Sequence, residues 1–546
     1  MPKRFAIAAL LAAFVLIFTG CNQEIKPDFK IVPSESGVQV HQGDSESVGI
    51  GIVPYGNFKG EVTISAKLAN GSNLPSGINL SPTSVTVSGG RLDFSLTVSA
   101  SSTAPVGDYN VSLTFASGKI SHSIGFGIQV VPPAGSLDTS FGSNGVAVVK
   151  DLTQTQGEND VAYSLAFGNG GAIYVLGRSN DKLVVCKLDD SGKFDNSFAG
   201  NTGAAVLGDL RALSSDTLEF DFDHTLAVTL GGKLMVAGYS YNGNDDDLLL
   251  ARLNPDGSLD TGFGGSGIIT YDNLAGGGGN VNDRGYSMLP VKDGFLVGGM
   301  GFKDTSVTEQ FVIARFKSNG DLDKVVSDGK QKYDALYSLT AGSSGYMGGG
   351  ETIDASGNRK GLFASADAEL NLGNWGGLTA FSDGSVGGRV RSVTPSNDGG
   401  FYLAGYVYNG NDYDLVIEKL KADGAPDENF GTGGTVVLDK VAGGTAASSD
   451  RAFSVITDQE GRIIVAGRSF LSGQGDNLVV IRLKPDGSLD EKFGTSGVFV
   501  YDGGNGANGN DGAFEVALDP YGRIVVVGYT TSSDGDQDLL ALRLNP

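Results

Sequence analysis

The sequence predicts an all-β protein, a seven-bladed β-propeller with an N-terminal immunoglobulin-like β-sandwich. Three observations predict this fold. A β-run that ends in glycine recurs seven times at intervals of 50 to 62 residues, which indicates a repeat architecture. Each repeat holds four short β-runs joined by tight turns, the composition of one propeller blade. Residues 29–131 hold about seven short alternating runs, the number expected for an immunoglobulin-like sandwich.

The chain begins with the features of an exported lipoprotein. Lys3 and Arg4 precede an apolar run over residues 5–18, which suits a signal peptide and is short for a membrane-spanning helix. The run meets "FTGC", where small residues precede Cys21. This pattern resembles the lipobox of bacterial lipoproteins, with Phe18 where the family usually has leucine. The resemblance implies a signal peptide over residues 1–20 and lipidation of Cys21, which would anchor the protein to a membrane; an ordinary secretory signal is the alternative.

A tether over residues 21–28 leads to the predicted sandwich at 29–131. Its runs include "SVGIGIV", "EVTISAKL", "LDFSLTVSA" and "DYNVSLTF", which alternate and are rich in β-branched residues. Their order resembles that of bacterial Ig-like modules of secreted proteins over nearly the whole segment. Residues 132–134 follow as a stiff linker, because Pro132 and Pro133 restrict φ.

The propeller is predicted over residues 135–546, and its repeats are numbered 1 to 7 by the glycines that end one run in each. In repeat 6 the four runs are "DRAFSVIT", "GRIIVAGRS", "DNLVVIRL" and "VFVYD", with the turn "PDGSLDEKFGTSG" before the last. A solenoid is the alternative, but its coils are usually shorter and carry fewer strands. The glycines are Gly177, Gly238, Gly299, Gly349, Gly405, Gly467 and Gly528.

The turn element also occurs seven times, offset by part of a repeat. The first turn has no β-run ending in "RL" before it, and the last run, "LLALRLNP", has no turn after it. We therefore predict a closed ring, in which residues 145–150 supply the fourth strand of the blade that ends the chain. The turns begin at Gly135, Gly192, Gly257, Gly320, Ala368, Gly424 and Gly487.

The pattern "PDGSLDxxFGxxG" after "RL" resembles the delta-60 repeat family, bacterial sequences thought to form seven-bladed propellers. The match spans about three quarters of the chain and is strong in repeats 2, 5, 6 and 7, whereas repeats 3 and 4 have "DKVVSDG" and "LNLGNWGG". The resemblance implies architecture and no agreed catalytic residue or substrate. We interpret the aspartate and phenylalanine of the turn, such as Asp490 and Phe493, as structural, the aspartate accepting backbone N–H bonds and the ring packing beneath the turn.

Composition narrows the classes of function. With 39 Lys and Arg against 62 Asp and Glu, the net charge of −23 argues against a nucleic-acid partner, which needs a basic footprint. Three scattered histidines, and Cys186 in a strand-like run, give little material for a zinc site or a catalytic triad. Two G-x-G-x-x-G matches, at 262–267 and 504–509, open no helix, so we predict no cofactor-binding residue and no catalytic residue.

Acidic loops before the third run of several repeats are the candidate metal ligands. Alternating oxygen ligands suit Ca²⁺, although Asp and Asn also favour such turns without a metal. The loops lack the sixth-position glycine and the distal glutamate of an EF-hand. The low-ranking calcium candidates are Asp245, Asp247, Asp412, Asp414, Asp534, Asp536 and Asp538, with Asp246 and Asp476 in the same loops.

The "DRAFS" run carries a repeated aromatic residue that we expect to wedge between blades. His224 aligns with the aromatic position of other repeats, Phe453 and Tyr163, and is expected to be a packed ring. The arginines of this run are expected either to line the central channel or to pair with acidic groups across blades, and we favour pairing. They are Arg284, Arg389 and Arg451.

These patterns predict a lipid-anchored protein of the bacterial cell envelope, facing the periplasm or the cell exterior. Its propeller is expected to act as a non-catalytic binding or scaffolding module for an envelope protein or a glycan, through a face built of loops. One alternative is an extracellular polysaccharide-acting enzyme, glycosidase or lyase, that uses channel carboxylates whose separation a sequence does not give. The other is a purely structural envelope component.

Overall fold

The computed structural model describes residues 26–546 except 154–156, 211–223, 230, 277–280, 303–308, 328–332, 344, 354–356, 379–380, 382–386, 445–447 and 504–508, and except the side chains of 375–377. The described part is nearly all β, which confirms the predicted class. Its helical segments are a 3₁₀ turn at Asn169–Gly171 and the four-residue helix α1 (Phe198–Asn201). No helix in this part is long and apolar enough to cross a membrane. The chain divides into two compact units, Met1–Ser136 and Leu137–Pro546.

The first unit consists of two sheets around one apolar core. One sheet has the order β1-β3-β7-β5 and the other β2-β9-β8-β4-β6. Strand β8 buries every second residue, Val111, Leu113 and Phe115, as its alternating sequence predicts. The strands are β1 (Asp28–Pro33), β2 (Gly37–His41), β3 (Ser45–Tyr55), β4 (Gly60–Leu68), β5 (Ile78–Ser81), β6 (Ser84–Val87), β7 (Leu92–Ala100), β8 (Gly107–Ser117) and β9 (Ile120–Val131).

Two of these nine strands, β1 and β5, were not among the runs that the sequence analysis picked out. β5 has only four residues, so its alternation is too short to stand out. β1 carries the side chain of Asp28, which lies 2.6 Å from Nε2 of His122 on β9 and so links the two sheets.

The second unit is built of four-stranded antiparallel meanders. Their strands are β10 (Val146–Val149), β11 (Asp160–Phe167), β12 (Ile173–Ser179), β13 (Lys182–Leu188), β14 (Ala204–Asp209), β15 (Thr225–Val228), β16 (Leu234–Tyr241), β17 (Asp246–Leu253), β18 (Ile268–Tyr271), β19 (Arg284–Val291), β20 (Gly294–Phe302), β21 (Glu309–Lys317), β22 (Leu322–Val326), β23 (Tyr333–Gly342), β24 (Gly345–Ile353), β25 (Arg359–Ala366), β26 (Leu372–Leu378), β27 (Gly388–Pro395), β28 (Phe401–Tyr408), β29 (Tyr413–Leu420), β30 (Thr435–Leu438), β31 (Asp450–Thr457), β32 (Ile463–Leu471), β33 (Gly475–Leu483), β34 (Val498–Tyr501), β35 (Gly512–Leu518), β36 (Ile524–Thr531) and β37 (Gln537–Leu544).

The sheets follow the sequence repeats. Sheets β11–β14, β15–β18, β27–β30 and β31–β34 each hold one repeat in chain order. Repeats 3 and 4 share one sheet, because Glu309 of β21 and Tyr333 of β23 form a single parallel pair between two meanders. The first strands of successive repeats contact one another in a closed circuit, β11, β15, β19, β23, β27, β31, β35 and back to β11.

The last sheet joins the two ends of the second unit. Its order is β10-β37-β36-β35, and β10 pairs antiparallel with β37 from Val146 opposite Leu542 to Val149 opposite Leu539. The turn before β10 also meets the end of the chain, since Leu137 bridges to Leu544. The strand that we predicted at 145–150 therefore lies at Val146–Val149, as the fourth strand of repeat 7.

A basic residue, an aspartate and a phenylalanine explain the recurring turn sequence. The arginine that precedes the last leucine of the third strand bonds the turn aspartate and lies over the turn phenylalanine, and we call these three residues the turn triad. Its ion pairs are Arg252–Asp260 at 2.6 Å, Arg482–Asp490 at 2.8 Å and Arg543–Asp138 at 2.8 Å. Its cation–π contacts are Arg252 over Phe263 at 4.9 Å, Arg482 over Phe493 at 4.6 Å and Arg543 over Phe141 at 4.7 Å.

The phenylalanine of each intact turn packs against the turn of the following repeat. Gly192 has φ +78°, and a Cβ there would lie 2.8 Å from the ring of Phe141. Gly487 stands in the same relation to Phe430, at 3.0 Å. The turn glycine is needed for its positive φ and because the ring from the preceding repeat leaves no room for a side chain. The phenylalanine is thus buried under the next repeat's turn.

Candidate functional site

Six of the seven first strands carry a β-bulge at the aromatic position of the "DRAFS" run. A glycine of the second strand lies opposite each bulge. A Cβ on Gly467 would lie 2.0 Å from the carbonyl oxygen of Arg451, and one on Gly405 would lie 1.9 Å from that of Arg389. The recurring glycine is therefore required because the bulge brings the two backbones together. In repeat 4 this residue is Gly350, at 1.8 Å from the Ala335 carbonyl oxygen, and not Gly349 as predicted.

The side chains at the six bulge positions, together with His224 just before β15, form a ring at the middle of the circuit of first strands, which we call the central ring. Tyr286 and Tyr337 have centroids 5.4 Å apart, and Phe453 and Phe514 5.2 Å apart. The guanidinium of Arg391 lies over both Tyr337 and Phe453, at 4.6 and 5.6 Å. All seven are buried, so side chains fill this position. The members are Tyr163, His224, Tyr286, Tyr337, Arg391, Phe453 and Phe514.

The ring closes through its remaining members. Tyr163 stacks on His224 at 5.3 Å and meets Phe514 at 6.2 Å. Tyr239 bridges His224 and Tyr286, at 4.5 and 6.3 Å. We expected these aromatic residues to wedge between blades; they instead contact one another, because a bulge turns the side chain out of the alternation of its strand.

Arginines next to the central ring pair with the preceding repeat. Nε of Arg284 lies 2.8 Å from an oxygen of Asp246, and Nε of Arg389 lies 2.7 Å from an oxygen of Glu351. The guanidinium of Arg451 lies over the ring of Tyr413, at 4.3 Å. These contacts agree with pairing across repeats, the interpretation that we favoured, with an aromatic ring as the partner of Arg451.

Glu351 is a buried carboxylate next to the central ring. It is fully buried, and it accepts hydrogen bonds from Arg389 and Arg359, both at 2.7 Å, and from the hydroxyl of Tyr337 at 2.5 Å. Burial alone would raise the pKa of Glu351, but the two guanidinium groups lower it to about 2. A general acid needs a raised pKa, so Glu351 acts as the counterion of the arginines.

His224 lies inside the central ring and is 4 % exposed. Burial, together with the nearby charges of Arg178 and Arg284, lowers the pKa of His224 to about 3. Neither ring nitrogen has a hydrogen-bond partner among the described residues. The side chain is a neutral packed ring, as expected from its alignment with Phe453.

The acidic loops are held together by asparagines of the same loops. Nδ2 of Asn242 donates to Asp245 at 2.5 Å and to Asp247 at 3.1 Å. Asn409 repeats this arrangement in repeat 5, donating to Asp412 at 2.6 Å and to Asp414 at 3.0 Å. These are the hydrogen bonds of polar turns that need no metal.

The other calcium candidates lie in repeats 6 and 7. Asp538 pairs with Lys150, the residue after β10, at 2.8 Å, whereas Asp534 is exposed and Asp536 is half-buried. Asp476 pairs with Arg468 at 3.1 Å. Among the residues that the structure describes, no group of three or more His, Cys, Asp or Glu is arranged to hold a metal ion. Calcium binding by these loops stays a prediction.

Several predicted features lie outside the candidate site. Cys21 falls outside the described residues, so its lipidation stays a prediction. Cys186 is buried in β13, where burial raises the pKa of its thiol to about 12, as suits a small apolar residue. The glycines at 262–267 lie in the turn before strand β18, and most of the match at 504–509 falls outside the described part.

Sequence reasoning missed the central ring and a cleft between repeats 4 and 5. The ring depends on a bulge, which no run of letters displays. The cleft, of about 370 Å³, is lined by Tyr346, Met347 and Phe401 and by the polar residues Ser365, Asp367 and Asp423. Its signal in the sequence is "LNLGNWGG", which departs from the turn pattern "DxxFGxxG".

Comparison with known proteins bears on the fold. The family model described as "Domain of unknown function (DUF5122) beta-propeller" matches residues 232–263, 460–493 and 522–546, which lie in repeats 2, 6 and 7. No curated protein matches the sequence. The family match, together with the circuit of meanders, confirms the predicted β-propeller.

Three solved structures illustrate the similarity. The GH93 α-L-arabinofuranosidase of Fusarium graminearum has 11% identity, over 62% of this chain and 97% of that chain, with a TM-score of 0.38. The α-L-arabinanase of Penicillium chrysogenum has 11% identity over 71% and 93%, with a TM-score of 0.35. A quinonprotein alcohol dehydrogenase-like protein from Bacteroides thetaiotaomicron has 10% identity over 94% and 97%, with a TM-score of 0.31.

Proposed function

We propose that the protein is a lipid-anchored component of the bacterial cell envelope whose seven-bladed propeller, joined to an immunoglobulin-like domain, is a non-catalytic binding module for an extracellular protein or glycan. The blade count is supported by seven four-stranded meanders, when the eight-stranded sheet is divided at its single Glu309–Tyr333 pair. The immunoglobulin-like domain is supported by the two-sheet core of the first unit. The anchor rests on the sequence around Cys21.

The central ring is the observation that carries the non-catalytic role. A glycosidase or lyase that works in a propeller channel needs open space and carboxylates free to exchange protons. Here seven buried side chains fill the middle of the circuit. Two carboxylates beside the ring, Glu351 and Asp246, are bonded to Arg389 and Arg284, and a third, Glu515, accepts a bond from the backbone N–H of Leu165. Binding is then left to the loops at the ends of the strands.

The acidic loops before the third strands form the binding surface in this proposal. Asn242 and Asn409 hold Asp245, Asp247, Asp412 and Asp414 in the same arrangement in repeats 2 and 5. Fixed polar groups lose little conformational entropy when a ligand binds. Because Asp245, Asp247 and Asp412 are buried, the groups of these loops that a glycan or a protein reaches are the exposed Asn244 and Asn411 and the half-buried Asp414.

Purified full-length protein tests the proposal against its two alternatives. The protein is incubated with cell-envelope glycans and with envelope protein fractions, and both retention and release of reducing or unsaturated sugar ends are measured. We expect retention without release. Retention should fall in the double variant Asn244→Ala, Asn411→Ala and not in Asp486→Asn, which changes an exposed turn carboxylate at the other end of the strands.

Two outcomes contradict the proposal. Catalytic release of sugar ends would identify an enzyme of glycosidase or lyase type. Absence of retention on every envelope fraction would leave the purely structural role.

A further inference from the structure

Repeat 4 has lost all three side chains of the turn triad. Ser365 pairs with Met347 across β24 and β25, the register in which Arg252 pairs with Met235 in repeat 2. Asp260 and Phe263 follow Arg252 by 8 and 11 positions, and the residues at the same distances from Ser365 are Gly373 and Gly376. A guanidinium, a carboxylate and an aromatic ring are therefore replaced by small groups, which empties a large volume beside the turn.

At the boundary between repeats 3 and 4 a comparable loss is filled from the opposite side. Val326 stands in repeat 3 where Phe263 stands in repeat 2. The next turn has Leu370 in place of its glycine, with φ +59°, a conformation that is costly for leucine. Leu370 is fully buried and packs in the core that contains Phe311 and Leu362. This side chain occupies the space that a phenylalanine fills elsewhere.

The boundary between repeats 4 and 5 is filled only in part. The turn of repeat 5 keeps its glycine, Gly424, with φ +85°, and the turn of the preceding repeat has no phenylalanine, so a ring of its third strand, Phe363, lies there instead. The cleft of about 370 Å³ lies at this boundary, with Tyr346 and Phe401 among its walls. The ring of Phe363, from the third strand of repeat 4, comes within 3.2 Å of the position of a Cβ on Gly424.

The cleft presents the groups that an arginine meets in intact repeats. Arg252 donates to the carbonyl oxygen of Ser318 at 2.7 Å, and Arg543 to that of Asp190 at 2.6 Å. Each carbonyl lies two residues before the turn glycine of the following repeat. The counterpart here is Ala422, which lines the cleft. Ser365 stands at the position of the missing arginine. Its hydroxyl donates to the carbonyl oxygen of Asn374 at 2.8 Å, so it does not take the place of the guanidinium.

The charges that line the cleft also suit a guanidinium group. Asp367 and Asp423 line the cleft, and Asp367 is an ionised acceptor whose pKa is lowered by hydrogen bonds from the backbone and side chain of Asn371. Aromatic walls, carboxylates and a backbone carbonyl suit a planar guanidinium, which stacks and donates at the same time. The net charge of −23 also draws basic partners to the protein.

We propose that the cleft between repeats 4 and 5 binds an arginine side chain of a basic partner protein, which supplies in trans the guanidinium that repeat 4 lacks. The site lies at the end of the third strands, opposite the acidic loops where those strands begin. The proposal therefore goes beyond the proposed function and does not depend on it.

Binding of Nα-acetyl-arginine amide to the full-length protein tests the proposal, with the citrulline and lysine analogues and a neutral disaccharide as comparison ligands. We expect saturable binding of the arginine ligand, at least about tenfold tighter than citrulline, because only guanidinium makes charge-assisted bonds to the carboxylates. Ser365→Arg should abolish this binding and raise the melting temperature, since the new side chain fills the cleft. Asp423→Asn should weaken it several-fold, and Asp256→Asn, the same turn position of repeat 2, should leave it unchanged.

A second variant that fills the cleft keeps the test valid if Ser365→Arg does not fold. Gly424→Leu copies the replacement that Leu370 provides at the preceding boundary, and it should also abolish binding. Equal binding of arginine and citrulline ligands, binding that survives both filling variants, or binding of the disaccharide in place of the arginine ligand would each overturn the proposal. Retention through the acidic loops is measured separately, so either result stands without the other.

Discussion

The substitution Asp138→Ala tests whether the first turn of the second unit completes the last repeat. Asp138 accepts a bond from Nε of Arg543 at 2.8 Å, although 405 residues separate the two in the chain. Arg543 is 2 % exposed and lies over Phe141 at 4.7 Å. In repeat 6 the same triad is continuous in sequence, with Arg482 also 2 % exposed and bonded to Asp490 at 2.8 Å. Asp490→Ala is therefore the matched control.

The structure sets the size of the expected effect. Removing one partner of a buried ion pair costs about 3–5 kcal/mol, because the other charge stays buried. Arg543 keeps two acceptors after the substitution, the carbonyl of Asp190 at 2.6 Å and the hydroxyl of Ser140 at 3.0 Å. We therefore expect a loss of about 2–3 kcal/mol in the free energy of unfolding of the second unit, below the full penalty since hydrogen bonds satisfy part of the guanidinium.

The pH dependence of this loss is a second signature of the pair. Burial tends to raise the pKa of Asp138, but hydrogen bonds from Ser140 and the charge of Arg543 hold it below its usual range. A carboxylate whose folded pKa is lowered contributes stability above the unfolded pKa and loses it as the pH falls through the folded pKa. The difference between wild type and Asp138→Ala should thus be full at pH 7 and shrink below about pH 4.

Urea unfolding followed by far-ultraviolet circular dichroism measures both variants, with the transition of the second unit fitted separately from that of the first. Similar losses for Asp138→Ala and Asp490→Ala are expected, since the two triads have the same geometry. A loss below about 0.5 kcal/mol for Asp138→Ala, the range of ordinary surface substitutions, beside a full loss for the control would refute closure by this turn.

Three further substitutions have defined outcomes. Glu418 is buried at the position that Ile481 and Leu542 occupy in repeats 6 and 7, and burial raises its pKa to about 7. The folded state therefore disfavours the charged carboxylate. In urea titrations the wild type should lose up to about 2.5 kcal/mol of unfolding free energy relative to Glu418→Leu between pH 5 and pH 8. Gly467→Ala places a Cβ 2.0 Å from a carbonyl oxygen and should destabilise the second unit by about 2–4 kcal/mol in the same assay, unless the bulge is able to move. Cys21→Ala should move the protein from the membrane to the soluble fraction in cell fractionation, and continued membrane retention would contradict the anchor.

The parts of the fold that depend on a repeated side-chain pattern could be predicted from the sequence. The spacing of the glycine-ended runs predicted the repeats, and the offset between runs and turns predicted that the chain ends would meet. Asp490 and Phe493 were assigned structural roles because aspartate and glycine have defined uses in turns. Their partner, Arg482, stands in the motif without a predicted role, since it lies eight positions before Asp490 in the chain.

Features that depend on backbone irregularity were not accessible. The bulges at Tyr163 and Phe453 shift the register of the first strand by one residue, so simple alternation misplaces these side chains. The run of three glycines in "GYMGGG" hid which one faces the bulge, because only backbone contact separates Gly350 from Gly349. Strand β5 was missed because four residues are too few for a period of two to be recognised.

The departures from the repeat carry more information about binding than the repeat does. Three clefts described in the second unit each adjoin a turn that departs from "DxxFGxxG": one at Ala199 and Gly200 of repeat 1, one at Lys324 and Val326 of repeat 3, and one at repeat 4. Where arginine, aspartate and phenylalanine are all present, they fill the boundary to the next repeat. A turn that departs from the repeated pattern lacks the side chains that pack the boundary between two repeats elsewhere, so it marks a functional candidate. Leu370 enters the boundary after repeat 3 and Phe363 the boundary after repeat 4, and a cleft remains at each. Only repeat 4 also lacks the basic residue of the turn triad, which is why a partner's guanidinium is the expected occupant there.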